Sequence, residues 1–297
     1  MTQLWKGTFT AIVTPFQGDG SLDEPSLRSL VDRQVEGGVD GLVPCGTTGE
    51  SATLSTEEKL RVIEVVREQC EGRVRVLAGA GGNSTSDVVA LAKEIDHIGV
   101  DGILVVVPYY NKPTQEGLYQ HFSTVADCLQ APVVMYNVPG RTSANMTGAT
   151  ALRLAEHGNI VATKEASGSL AQVMEIIQDA PPGFSILSGE DDLTLPIIAL
   201  GGHGVVSVVS NEAPALMSDM VRLALDGKMA DAKALHYDLL GLIRLNFIET
   251  NPIPVKAALA LMGLIHEEYR LPLTRISEAN RERLHVELAG LQLVEMP

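Results

Sequence analysis

Short apolar runs alternate with longer stretches of helical period along most of this 297-residue chain. The runs Thr8–Phe16, Gly41–Gly46, Arg75–Ala80, Gly102–Tyr109, Pro132–Asn137, Ile160–Lys164, Ser185–Ser188 and Gly204–Val209 read as strands, being short, rich in β-branched residues and bounded by turn formers. Ile103-Leu-Val-Val-Val107 is apolar without alternation, as expected of a parallel strand buried on both faces. Amphipathic segments lie between the runs. One starts near Leu22 and stops at Glu36-Gly37-Gly38, where glycines mark a helix C-terminus. Another opens on the capping box Ser55-Thr-Glu-Glu58 and runs to Cys70. Others follow Ser86, Gln115, Thr147, Ser169, Asp191 and Pro214.

Eight such β-α repeats predict an α/β fold, a TIM (β/α)8 barrel over residues 1–226. A doubly wound sheet is the alternative, because periodicity does not show closure. After Asp226 the strand pattern stops. Lys228–Phe247, Pro254–Leu264 and Ser277–Leu293 read as helices, and predict a small C-terminal all-helical domain over residues 227–297. Asn251-Pro-Ile-Pro254 reads as a rigid turn opening the second of them.

Composition narrows the function. Hydrophobic residues make up 45% of the chain and charged residues 20%, the balance of a globular protein with a large core. The net charge of -15 argues against nucleic acid and against an anionic membrane surface, both of which need an excess of Lys and Arg. The longest central apolar run, Ile103–Pro108, is far too short to cross a bilayer. Met1–Gly7 has no apolar run behind a basic start, so a cytoplasmic location is expected. Cys45, Cys70 and Cys128 form no CxxC pair and read as reduced, buried thiols.

In a TIM barrel the active site lies at the C-terminal ends of the strands, and that rule selects candidates before any family is considered. The sixth run delivers Lys164 to its end, followed by Glu165-Ala-Ser167. A buried strand end strips solvent from an ammonium and favours the free amine, which condenses with carbonyls. The plain alternative is a solvated surface lysine. The second run ends in Gly46-Thr47-Thr48-Gly49-Glu50, where hydroxyls and exposed N–H groups can hold a carboxylate, or simply close a βα turn. Gly79-Ala-Gly81-Gly82-Asn83 lacks the last glycine of a dinucleotide fingerprint, Ser84 standing there. The fourth run ends in Tyr109-Tyr110, the fifth in Tyr136 and, beyond it, Arg141 in a turn-rich loop. Tyr136 suits proton relay and Arg141 bidentate carboxylate binding, against rim-anchor and surface ion-pair alternatives. Ser188-Gly189-Glu190-Asp191-Asp192 reads as two acids capping the next helix rather than as a metal site, and His203 as structural. No metal and no cofactor are expected.

Taken together these residues resemble the dihydrodipicolinate synthase family. Gly46–Glu50, Pro108–Lys112, Tyr136–Thr142, Thr163–Glu165, Ser188–Asp191, Gly201–Val205 and Asn251–Lys256 occur in that family's order and spacing over nearly the whole chain. The resemblance implies a pyruvate-dependent lyase of lysine and diaminopimelate biosynthesis, a homotetramer arranged as a dimer of dimers. Lys164 would form a Schiff base with pyruvate, and the enamine would attack L-aspartate 4-semialdehyde to give 4-hydroxy-tetrahydrodipicolinate. Tyr136 would pass protons through Thr47 to Tyr110, the latter reaching in from a neighbouring subunit. Thr48 and nearby amides would hold the pyruvate carboxylate, and Arg141 that of the semialdehyde. The Val206 carbonyl and Gly189 would complete the substrate site.

A lysine-effector site is implied at Ser51, Ala52, Asn83 and Tyr109. There this chain departs from lysine-inhibited members, with Thr56 and Lys59 where histidines are common and Asp87 in place of glutamate. Weak or absent inhibition by lysine is therefore expected. The competing readings are a sibling aldolase, such as N-acetylneuraminate lyase or a keto-deoxy-sugar aldolase, and a barrel that has lost catalysis. Pro139-Gly-Arg-Thr142 disfavours the first, and the presence of Lys164 and Tyr136 the second.

Overall fold

The computed structural model describes residues 4–296, so the leader reading at Met1–Gly7 falls in part outside the described residues. Eight parallel strands close into a barrel: β1 (Gly7–Thr10), β2 (Gly41–Leu42), β3 (Arg75–Gly79), β4 (Gly102–Val106), β5 (Val133–Asn137), β6 (Ile160–Glu165), β7 (Ser185–Ser188) and β8 (Gly204–Ser207). Closure is direct, with Gly7 to Thr10 of β1 in register with Gly204 to Ser207 of β8. The doubly wound alternative is excluded. No helix among the described residues is long and apolar enough to cross a membrane.

The strand pattern follows from two buried faces. Leu104 points into the barrel with Phe9, Leu77, Val134 and Leu187, while Ile103 and Val105 pack outward under the helices. Trp5 plugs the N-terminal end of the barrel. Its ring lies 5.5 Å from that of Phe9, and a Cβ on Gly102 would come within 2.7 Å of it. Most strands are shorter than their apolar runs predict, the first two by the most. After Thr10 the run continues as buried loop, Ala11 through Phe16, because the core extends above the ladder. After Leu42 the chain turns over Cys45, whose φ of 56° is incompatible with a strand. Cys45 and Cys70 are buried, but Cys128 is exposed, which corrects the reading of all three as buried.

The expected helices form with shifted ends. The capping box at Ser55 is present in full, Ser55 Oγ accepting from Glu58 N and Glu58 Oε2 from Ser55 N. The loop carrying Arg141 is instead one helical turn, Pro139–Thr142, opened by proline at its first position. His203 is structural as expected: its Nδ1 accepts from Ile186 N at 3.1 Å. Asp191 is a correction. It does not cap the following helix; its Oδ2 accepts from Val208 N and Val209 N, both at 2.9 Å, and so ties β7 to the top of β8.

Beyond the barrel, Met229–Leu245, Ile253–Leu261 and Glu278–Gly290 are helices. Leu239, Ala257 and Leu288 from these three share one apolar cluster with Val205 of β8 and Met217 of the last barrel helix.

His121, on the helix Gln115–Ala126, gives a pH signature. It is buried, with Nδ1 2.9 Å from Thr85 Oγ1, and burial pulls its pKa down to about 4. The native chain thus resists protonation while an unfolded chain takes a proton near 6.5, the ordinary value for histidine. Its contribution is full above that pH, falls as pH drops from there to about 4, and is level below. Chemical denaturation at pH 7 and near pH 4 should show a drop about 3 kcal/mol smaller in His121→Gln than in the parent chain.

Candidate active site

The ladder between β5 and β6 pairs Tyr136 with Lys164, so both side chains point into the barrel mouth from adjacent strands. Lys164 is 6% exposed, and its Nζ sits 4.0 Å from the centroid of the Tyr136 ring. No carboxylate lies within ion-pair distance of it among the described residues. Its neighbour Glu165 points to the other face of the strand. There it accepts from Asn137 Nδ2 at 3.1 Å and from Ser167 N at 2.9 Å. Burial raises the Glu165 pKa and these hydrogen bonds pull it back. An amine with no counter-ion, packed on a phenol and facing a cavity, is suited to adding to a carbonyl.

That cavity, about 540 Å³, opens at the C-terminal end of the strands and is lined by Lys164, Tyr136, Thr47, Thr48, Arg141 and Gly189. Six residues singled out in the sequence therefore meet in one place. Thr48 is buried, and its Oγ1 accepts from Asn251 Nδ2 at 3.0 Å. Arg141 donates to the backbone oxygen of Asn251 at 3.5 Å and has no carboxylate partner among the described residues, which leaves its fork open to an anion. Val206 is buried in the barrel interior with Leu187, and Val208 supplies the wall above it.

Tyr110 is not brought in. It is 88% exposed, with φ of 74°, and does not line the cavity. A relay from Tyr136 through Thr47 to Tyr110 is not closed within one chain. A second cavity of about 420 Å³ adjoins the first across Thr47, Tyr136 and Arg141. Ser51, Ala52, Lys59 and Tyr109 line it. Asn83 and Asp87 lie outside it and are exposed; the Asn83 carbonyl accepts from Asn111 Nδ2 at 2.8 Å.

Two contributors were missed in the sequence. Glu190 lines the larger cavity, its pKa raised chiefly by burial and further by repulsion from Asp192 and Glu165, with Lys164 opposing. Read as one acid of three, it carried no signal of its own. The stretch Phe247–Asn251, from the helical appendage, forms one wall. Asn251 was visible as part of a proline turn and of a family-like motif, with no role assigned to it.

A closed parallel barrel whose strand ends bring a buried lysine, a tyrosine and an open arginine around one cavity has the form of a barrel enzyme. The chain belongs to the dihydrodipicolinate synthetase family, whose model matches residues 4–290. It is 53% identical over 281 residues to a 4-hydroxy-tetrahydrodipicolinate synthase of Syntrophus aciditrophicus, covering 95% of this chain and 96% of that one. It is 54% identical to that of Koribacter versatilis, covering 94% and 93%. Among solved structures, the dihydrodipicolinate synthase of Aquifex aeolicus superposes with a TM-score of 0.95 at 44% identity, covering 97% of this chain and 99% of that one.

The close approach of β7 to Lys164 is testable. A Cβ on Gly189 would fall 2.7 Å from Ala166 Cβ and 3.1 Å from Lys164 Cε. Gly189→Ala should displace the amine and slow imine formation with an α-keto acid by about tenfold or more, read as the rate of borohydride-trapped adduct by mass spectrometry.

Proposed function

We propose that Lys164 carries out the first step of a 4-hydroxy-tetrahydrodipicolinate synthase reaction. The observation that carries this reading is the juxtaposition of an unpaired lysine, a tyrosine on its neighbouring strand and an open arginine in one cavity. The Lys164 amine adds to the pyruvate carbonyl, and loss of water leaves the protonated imine. Removal of a methyl proton gives the enamine. Its carbon attacks the aldehyde of L-aspartate 4-semialdehyde, forming one C–C bond, and the new alkoxide takes a proton. The substrate's own amine then displaces Lys164, closing the ring and freeing the enzyme. Tyr136 is the group placed to move protons at the imine. Thr48 suits the pyruvate carboxylate, and Arg141 that of the semialdehyde.

The residues of the smaller cavity support a lysine-insensitive variant of this enzyme. Lys59 contributes a positive charge to its lining, which opposes a cationic effector. Tyr110 at 88% exposure and Leu271 at 79% are large apolar side chains left in solvent, of the kind a second copy would cover. We therefore read the protein as a homotetramer, a dimer of dimers in which Tyr110 serves the neighbouring site. A dihydrodipicolinate synthase variant described as monomeric aligns at 43% identity with a TM-score of 0.96, so the barrel itself does not dictate assembly. A division at residues 226 and 227 would separate the strands that hold Lys164 and Tyr136 from the appendage whose connection Phe247–Asn251 walls the cavity. We place the reaction in the cytoplasm, with soluble small-molecule substrates and no nucleic-acid partner.

Pyruvate-dependent turnover of L-aspartate 4-semialdehyde, coupled to the next reductase and read as loss of NADPH, should be robust, and Lys164→Ala should abolish both turnover and borohydride trapping of pyruvate. Trapping without turnover in the parent chain would instead indicate a sibling aldolase. In the same assay L-lysine should leave activity essentially unchanged below millimolar concentration; strong inhibition there would overturn the charge argument at Lys59.

A further inference from the structure

Thr48 is gripped from the helical appendage. Asn251 is 4% exposed and donates through Nδ2 to Thr48 Oγ1 at 3.0 Å. Its backbone oxygen accepts from Arg141. The next residues open the helix Ile253–Leu261, on which Lys256 is completely buried and pairs with Glu50, two positions beyond Thr48. Lys256 Nζ also lies 4.3 Å from the Phe16 ring centroid, and Glu50 Oε2 accepts from Arg270 N at 3.3 Å. The turn that carries Thr48 is thus held at both ends by one segment, directly at Thr48 and through a buried ion pair at Glu50.

The hydrogen-bond count at Thr48 has a chemical consequence. A threonine hydroxyl has one proton to donate. Because Thr48 Oγ1 accepts from the Asn251 amide, its own O–H is left to donate, and it finds no protein acceptor among the described residues. Accepting one hydrogen bond also polarises the hydroxyl as a donor. Resting on the reading that Thr48 holds the pyruvate carboxylate, we infer that Asn251 is a positioning residue that commits the Thr48 hydroxyl to donation and so selects an anionic carbonyl substrate, with the Lys256–Glu50 pair as its anchor.

Asn251→Asp is nearly isosteric but replaces the donor with an acceptor, so the Thr48 proton would turn toward residue 251. The test is borohydride trapping at Lys164 with two probes, pyruvate and the neutral ketone hydroxyacetone. Asn251→Asp should raise the half-saturating pyruvate concentration by about tenfold or more, the size of one lost charge-assisted hydrogen bond, and leave that for hydroxyacetone within about twofold. Equal weakening of both probes, or none for pyruvate, would overturn the inference, and because the new carboxylate also repels an anion directly, so would a pyruvate loss of the same size when Asn251→Asp is placed in the Thr48→Val background. Thr48→Val keeps the shape of the turn and supplies a second route should Asn251→Asp not fold. In the Thr48→Val background Asn251→Ala should add no further loss for pyruvate, whereas additive losses would show that Asn251 acts elsewhere. Turnover with the semialdehyde is followed in the parent chain alongside. Failure of the functional reading would appear as an inactive parent, and failure of this inference as an active parent whose variants keep the ratio of the two probes.

Discussion

The parallel ladder between β5 and β6 is the constraint on which the site depends. It pairs Tyr136 with Lys164, and a slip of one residue would turn one of them out of the barrel. That register is held only because the sheet closes. Closure brings β1 so near β8 that a Cβ on Gly204 would fall 2.0 Å from the Gly7 carbonyl oxygen, at a φ of +151° that side chains rarely adopt. With both ends of the sheet joined there is no free edge, and the outward faces of the strands are sealed by the surrounding helices. The mouth of the barrel is then the place where strand-end side chains converge without filling the space between them.

Two buried lysines show how surroundings decide what an amine does. Lys256 is fully enclosed, with Glu50 as its counter-charge and the rings of Phe16 and Tyr269 beside it. Burial draws its pKa down and Glu50 draws it back up. Breaking such a pair by removing one partner typically costs about 3–5 kcal/mol, so its role is to hold two parts of the chain together. Lys164 has similar burial, no carboxylate partner among the described residues and a cavity in front of it. One amine is committed to a structural ion pair and the other faces an open cavity.

The helical appendage is tied to this chemistry. Its apolar side is continuous with the last barrel helix and β8, and Phe247–Asn251 stands as a wall of the cavity. A segment remote in sequence from the strand ends therefore shapes the space into which they point. Asp191 plays a comparable part from within the barrel, where its carboxylate satisfies two backbone N–H groups above β8 and keeps Glu190 at the rim.

Much of this was legible along the chain. Apolar runs buried on both faces carry a distinctive unbroken pattern, and helix caps such as Ser55 are local hydrogen-bond arrangements, so the repeat and its strand-end residues can be read without coordinates. Lys164, Tyr136, Thr47, Thr48, Arg141 and Gly189 were accessible because each stands at or shortly after the end of an apolar run. The strand limits were less so, because the buried loop Ala11–Phe16 is as apolar as the strand before it, and where a ladder ends depends on the neighbouring strand. Asp191 looked like a helix cap because capping is local, whereas its partners Val208 and Val209 lie just beyond the next strand. Asn251, Glu190, Lys256 and Glu50 fall within motifs of the chain, but no local pattern gave their roles. Their roles arise from contacts across the fold, up to some two hundred residues apart in the chain, and no window of sequence contains both partners of such a contact.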